Sequence, residues 1–197
     1  DSANLEFACR IWGMKATDLN QGVVYGVDTD QTVLHDDLRT SFHYDDIFGT
    51  VLNLFLSQAA VGRNLTVYGN GTQTRGFLNI KDTIACVALA ADNSPEQGEF
   101  RIFNQFTEQF SVLDLATKVQ ASALRAGLDC KVDYLANPRV EQENHYYNAV
   151  HTGLVELGLQ PTLLTDDVVD AMLANVCAQK DAVDTDVFIP RVKWKQS

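Results

Sequence analysis

Apolar residues recur along this chain alternately at helical and at strand spacing. Leu5, Ala8, Cys9 and Trp12 fall on one helical face, and Gly13 supplies a stop. No N-cap region precedes that pattern, which predicts the end of a helix rather than a whole one. Thr17 to Tyr25 reads as a strand, broken by the polar triplet Asn20, Gln21 and Gly22. Such a break suits a strand whose carboxyl end opens onto a site, as in α/β sheets. Residues 26–45 are polar and irregular, too long for an ordinary connection and so a candidate functional loop. A helix is predicted over 46–61, with Ile47, Val51, Leu54 and Phe55 on one face.

Further on, Leu65 to Tyr68 is a short strand, Gly69-Asn70-Gly71 a turn, and Thr74 to Ile80 extended. Asp82 reads as the N-cap of a helix running to Ala91, and Phe100 to Asn104 as a strand. Ser111 caps a helix from Val112 to Ala126 that Gly127 ends, and Cys130 to Leu135 is a strand. Helices follow at 149–157 and 166–179, and the tail from Val183, which carries Pro190, reads as peripheral. Strands alternating with helices predict an α/β fold.

Composition narrows the function classes. With 197 residues and 46% hydrophobic content, the chain can bury a sizeable core. No apolar run approaches the length of a membrane span, and residues 1–12 lack the features of a signal peptide. The net charge of −11 argues against nucleic acid as a partner. Cys9, Cys86, Cys130 and Cys177 are widely separated, predicting reduced thiols rather than a zinc site or a disulfide framework. The sequons at Asn64 and Asn70 are read as chance matches. No G-x-G-x-x-G or P-loop occurs, so nothing here is expected to cradle a pyrophosphate at a helix N-terminus.

The order of motifs is more specific. Leu65-Thr-Val-Tyr-Gly69 precedes a Gly/Asn turn, then Gln73-Thr-Arg75-Gly-Phe77 and Ile80-Lys-Asp82. Phe103-Asn104, Ser111-Val-Leu-Asp-Leu-Ala116, Asn137-Pro-Arg139 and Glu156-Leu-Gly-Leu-x-Pro161 follow in turn. Together they resemble the second half of the extended short-chain dehydrogenase/reductases, the NAD-dependent sugar-nucleotide epimerases and dehydratases. Thr17-Asp-Leu-Asn-Gln-Gly-Val-Val-Tyr-Gly26, Phe103-Asn-Gln-Phe-Thr-Glu-Gln-Phe-Ser111, Asn137-Pro-Arg-Val-Glu141 and His145-Tyr-Tyr-Asn148 are similar to one branch, which makes a sulfonated sugar nucleotide from UDP-glucose and sulfite. The resemblance implies the C-terminal part of an extended Rossmann-type fold. Residues 1–30 would close the Rossmann domain. Residues 31–197 would be mainly the sugar-nucleotide region, with segments returning to the Rossmann sheet. The catalytic Thr, Tyr and Lys, and most of the NAD site, would lie upstream of Asp1, so no catalytic residue is expected within the chain, which is expected to be inactive alone and to bind NAD weakly.

In the implied reaction a hydride leaves sugar C4 for bound NAD, water is lost to a 5,6-ene, sulfite adds at C6 and the hydride returns. Arg75 and Arg139 would neutralise the diphosphate, a task that suits guanidinium groups. Thr66, Val67 and Tyr68 would hold uridine through backbone groups and an apolar floor, or serve as an ordinary core strand. Thr50, Val51 and Leu52, at a helix start, would face diphosphate and ribose, or simply pack. Gln21 would orient a sugar hydroxyl or the sulfite, or bond local backbone. Val24 would meet the nicotinamide amide through its backbone. His145 would lie on the nucleotide side or serve packing, and His35, His43 and His151 read as surface or loop residues. Glu141 would pair with Arg139.

The resemblance further implies a homodimer packed through helices, with Leu5, Cys9 and Trp12 in an apolar seam. A sulfite-delivering protein is a possible partner. The location would be the chloroplast stroma in a plant or alga and the cytoplasm in a bacterium. Two other readings stand beside this one: another epimerase or dehydratase of the family, and a non-catalytic nucleotide-sugar-binding fragment.

Overall fold

The computed structural model describes residues 1–39, 41–136 and 149–189. The chain divides into two compact units, each assembled from three stretches. Residues 1–24, 76–108 and 148–163 make the first, and residues 25–75, 109–147 and 164–197 the second.

In the first unit, helix α1 (Ser2–Trp12) ends where the sequence predicts. Gly13 adopts φ 65°, and its N–H donates to the Cys9 carbonyl. Strand β1 (Ala16–Gln21) runs parallel to β5 (Phe100–Gln105), from Ala16 opposite Phe100 to Gln21 opposite Gln105. Helix α3 (Ile80–Asp92) and the short α5 (Gly153–Glu156) cover the pair. Cys86, Leu154 and Leu159 are buried there against Leu19, Leu89 and Phe103. Of the three residues expected in an apolar seam, Cys9 is wholly buried and faces inward, whereas Leu5 and Trp12 are exposed, together with Phe7, Ile11 and Met14.

Two expectations change here. Asn79, not Asp82, caps α3, its side chain accepting from Lys81 N–H at 2.9 Å. Asp82 stands one turn in, 2% exposed, and accepts the Thr162 peptide N–H at 2.7 Å. A carboxylate that reads locally as a cap is used as a long-range tie. The break in the first strand is also narrower than its polarity suggested. Asn20 and Gln21 belong to β1, and only Gly22 separates it from β2 (Val23–Tyr25). The reason is steric. A Cβ on Gly22 would lie 2.7 Å from the Gly76 carbonyl oxygen and 3.0 Å from Phe106 Cβ, and one on Gly76 2.5 Å from the Phe106 ring. Strands β2, β4 (Thr74–Asn79) and β6 (Glu108–Ser111) form a sheet in the order β2-β4-β6; β6 has no apolar alternation to announce it.

In the second unit, helices α2 (Val51–Ala60), α4 (Val112–Arg125) and α6 (Asp166–Ala178) pack on one another. Strand β3 (Leu65–Tyr68) pairs in parallel with β7 (Val132–Leu135), Leu65 opposite Val132 and Tyr68 opposite Leu135. Leu65 and Val67 point into the core, and Thr66 and Tyr68 are half-buried, as strand alternation requires. Helix α2 starts at Val51 rather than 46. Ahead of it the Asp45 carboxylate accepts the peptide N–H groups of Ile47 and Phe48, each at 2.8 Å, so a turn precedes the helix and Ile47 is exposed. The Ser111 side chain accepts from Asp114 N–H and the Asp114 carboxylate accepts in return, a complete capping box on α4. The predicted peripheral tail is anchored through Phe188, which is buried with its ring 5.9 Å from that of Tyr44. Tyr44 Oη also accepts the Asp184 N–H at 2.8 Å.

Candidate functional site

The second unit gathers most of the residues expected to hold a nucleotide. Along β3 the side chains of Thr66 and Tyr68 face a cleft of about 760 Å³, which Gln58, Arg63, Asn64, Asp133, Leu135 and Phe188 also line. Leu65 N–H donates to the Lys131 carbonyl and Gly69 N–H to that of Leu135, both toward β7. The intervening amide of Thr66 therefore points off the other edge of β3. There Gln58 meets it, Oε1 accepting the Thr66 N–H at 3.0 Å and Nε2 donating to Thr66 Oγ1 at 3.0 Å. Burial pushes the Tyr68 phenol above its ordinary value, and the negative charge of Asp46 adds to the shift.

The turn after β3 requires its glycines: Gly69 and Gly71 have φ 65° and 73°, and a Cβ on Gly71 would come within 2.9 Å of Val67. Arg75 follows on β4, exposed, with Nη1 donating to the Thr74 carbonyl at 2.9 Å. It has no carboxylate partner among the described residues, which leaves most of its donors for an anion. Thr50 caps α2, its hydroxyl accepting from Asn53 N–H at 3.3 Å. Leu52 is fully buried and Val67 likewise, so the side chains of both belong to the core, and Val51 is half-buried. Of these residues the cleft takes in Thr66 and Tyr68 and not Thr50, Val51, Leu52, Val67 or Arg75. Arg139 and His145 lie outside the described residues.

In the first unit, Gln21 is exposed at the carboxyl end of β1, and the Gly22 N–H donates to the Gln105 carbonyl at 3.0 Å. Asn20 Nδ2 donates to Asn104 Oδ1 at 3.4 Å, and Asn104 Nδ2 to the Val150 carbonyl at 2.7 Å. Polar amides thus cluster where two parallel strands end, the customary ligand end of an α/β sheet. Val24 is half-buried on β2. His151, read from sequence as a surface or loop residue, is half-buried and stacked on Phe106, with centroids 4.5 Å apart.

Gln58, Arg63 and Asp133 were not among the expected site residues. Gln58 left one signal, a large amide near the end of the mostly apolar run Val51–Ala60, which also holds Asn53 and Ser57. Arg63 and Asp133 left none, because each is an ordinary surface residue type and only the β3–β7 pairing places them on one cleft. Among the described residues no His/Cys/Asp/Glu group could hold a metal ion, and no helix is long and apolar enough to cross a membrane.

Comparison with known proteins adds to this geometry. Residues 40–104 match the model of the NAD dependent epimerase/dehydratase family. A solved UDP-glucose 4-epimerase from Thermotoga maritima, in complex with UDP-glucose, superposes with a TM-score of 0.67 at 19% identity, over 92% of this chain and 52% of that one. That likeness establishes a Rossmann-type α/β fold. Along its whole length the chain is similar to part of UDP-sulfoquinovose synthase: 55% identity with the spinach enzyme over 196 residues, the whole of this chain and 41% of that protein. The Sulfolobus acidocaldarius enzyme is 38% identical over 94% of this chain and 48% of its own length. The chain spans less than half of these curated relatives.

Proposed function

We propose that this chain is the sugar-nucleotide-binding part of an NAD-dependent enzyme that makes UDP-sulfoquinovose from UDP-glucose and sulfite, a step toward sulfolipid. The observation that carries this reading is the 55% identity with the spinach enzyme along the whole chain. It is supported by the open cleft on β3 and by the cluster of amides at the ends of β1 and β5. In the net reaction the sugar C6–O bond breaks, a C6–S bond forms and water leaves.

Bound NAD supplies reversible hydride exchange at sugar C4. Of its parts, this chain fits the nicotinamide end. Strand β2 ends its sheet, so one backbone edge at Val24 faces no other strand among the described residues. No glycine turn of the 197 residues matches a dinucleotide fingerprint, so the pyrophosphate of NAD has no cradle here. The chain's own contributions are orientation and charge. Thr66, Val67 and Tyr68 hold uridine along β3, and Arg75 and Arg139 neutralise the diphosphate. The N–H groups opening α2 at Val51 and Leu52, capped by Thr50, face phosphate and ribose. Gln21 orients the sugar end or the incoming sulfite, and His145 lies on the nucleotide side.

The reading extends to a homodimer of the intact protein, to delivery of sulfite by a partner protein, and to the chloroplast stroma as the location where the source is a plant or alga. In a bacterium the location would be the cytoplasm. The test incubates the intact protein with NAD, UDP-glucose and sulfite and analyses the nucleotide sugars by mass spectrometry. UDP-sulfoquinovose is the expected product. UDP-galactose formed with or without sulfite would replace this reading by that of an epimerase.

A further inference from the structure

Residues 184–189 form a strap that is anchored along its length and ends on the cleft. The Asp184 N–H donates to Tyr44 Oη at 2.8 Å, and the Asp184 carboxylate accepts the Asp186 N–H at 2.9 Å, capping the single turn Thr185–Val187. Phe188 follows, buried with its ring against that of Tyr44. Ile189 comes next and is 74% exposed, and it lines the same cleft as Thr66 and Tyr68. Leu135, 48% exposed, lines it too. Two large apolar side chains left open on one concave surface favour an apolar or aromatic group against them. Charge decides which end of a nucleotide sugar suits that surface. Among the described residues the lining has two carboxylates, Asp133 and Asp186, and one guanidinium, Arg63, whereas Arg75 and the start of α2 lie outside it. A diphosphate is disfavoured there and a neutral nucleoside is not.

We propose that the strap completes the nucleoside site: Ile189 is a binding residue that packs on the nucleoside of the UDP-sugar, and Tyr44 is the positioning residue that holds it there. The inference rests on the reading of β3 as the nucleotide strand. Tyr44 acts only through the strap. Its hydroxyl fixes the peptide that opens the turn and its ring seats Phe188, so that Ile189 is presented on the cleft.

The test is calorimetric titration of the intact protein with UDP, and displacement of that UDP by uridine. Ile189 is exposed, so Ile189→Ser leaves the core untouched. It is expected to weaken UDP and uridine by the same factor, about fivefold, and Ile189→Leu to preserve both. Tyr44→Phe keeps the ring against Phe188 and removes only the acceptor for the Asp184 N–H, and both affinities are expected to fall about threefold. Added to Tyr44→Phe, Ile189→Ser costs less than it does alone, because both act through one strap, a coupling that a general loss of stability would not produce. Unchanged affinities in Ile189→Ser overturn the inference, as does a loss confined to UDP, which would put the strap at the phosphate end. Full additivity of the two substitutions removes Tyr44 as the positioning residue. Wild-type protein that binds UDP but releases none of it to uridine overturns the inference while the nucleotide reading survives. Wild-type protein that binds no UDP overturns both.

Discussion

Arg75 shows what a single residue in this fold has available. Its guanidinium donates to the carbonyl of its own neighbour, and no carboxylate competes for it among the described residues. Arg75→Ala in the intact protein is expected to weaken UDP-glucose binding by roughly 1.5–3 kcal/mol, the range for a hydrogen bond to a charged group. Arg139→Ala should cost a similar amount, and the double variant should depart from the sum because both would hold one diphosphate. Uridine, which has no phosphate, should bind all three alike. Titration of both ligands checks this, and unchanged UDP-glucose affinity in both single variants removes the arginines from the site. Tyr68 offers a second measurement at this scale. Burial is the larger cause of its raised value and Asp46 the smaller. The folded state favours the neutral phenol, so the associated stability is present below the ordinary tyrosine value and is lost as pH rises through the folded one. Asp46→Asn should bring the titration down part of the way only. Phenolate absorbance of the protein minus that of Tyr68→Phe isolates the transition, and no movement in Asp46→Asn would show that burial alone sets it.

At the scale of elements, α4 carries both its start and its cross-links in a few side chains. Ser111 and Asp114 close the N-terminus reciprocally, and near the other end Arg125 reaches Asp170 on α6 at 2.7 Å. Arg125 holds the Asp170 carboxyl below its usual range, so that pair's contribution is present at neutral pH and is lost as pH falls through the lowered value. The pair is exposed and screened, whereas the cap satisfies a backbone donor that the helix itself cannot. Ser111→Ala is therefore expected to destabilise the protein by about 0.5–2 kcal/mol in urea unfolding, with its m-value unchanged. A loss within error would mean that Asp114 or water replaces the hydroxyl. The cap on α4 was legible because Ser111 stands directly before an amphipathic run. That of α3 was misread, since Asn79 and Asp82 are both good caps and only the Thr162 contact, eighty residues away, decides between them. The start of α2 was misread for a similar reason: Ile47 fits the helical period, and the side-chain bonds of Asp45 override it.

For the molecule as a whole, the alternation of strands and helices and the motif order were legible in the sequence, and the α/β class with them. The strand of the candidate nucleotide site was legible too, because β3 and its glycine turn are contiguous. What was not legible came from residues distant in the chain: Gln58 clamping Thr66, Asp133 brought beside it by strand pairing, Phe188 folding back on Tyr44. Surface chemistry is partly readable at this scale. Phe7 and Ile11, one helical turn apart on α1, are 58% and 60% exposed, a costly arrangement for two large apolar side chains unless another surface covers them. If they form the proposed dimer contact, Phe7→Asp with Ile11→Asp should turn a dimer into a monomer in sedimentation while leaving UDP binding intact. A wild-type protein that sediments as a monomer at micromolar concentration would exclude it.

The interleaving of the two units has a consequence for how the chain is made. Each is stitched from three separated stretches, so the polypeptide crosses from one to the other five times. Leu154 and Leu159, which complete the core around Cys86, belong to the last stretch of the first unit. On the ribosome that core stays open until those residues have emerged, by which time most of the second unit has been synthesised. Neither half can be released by one protease cut, exchanged by one recombination event or expressed as one contiguous gene segment. Whatever selection acts on one unit has therefore had to carry the other along with it.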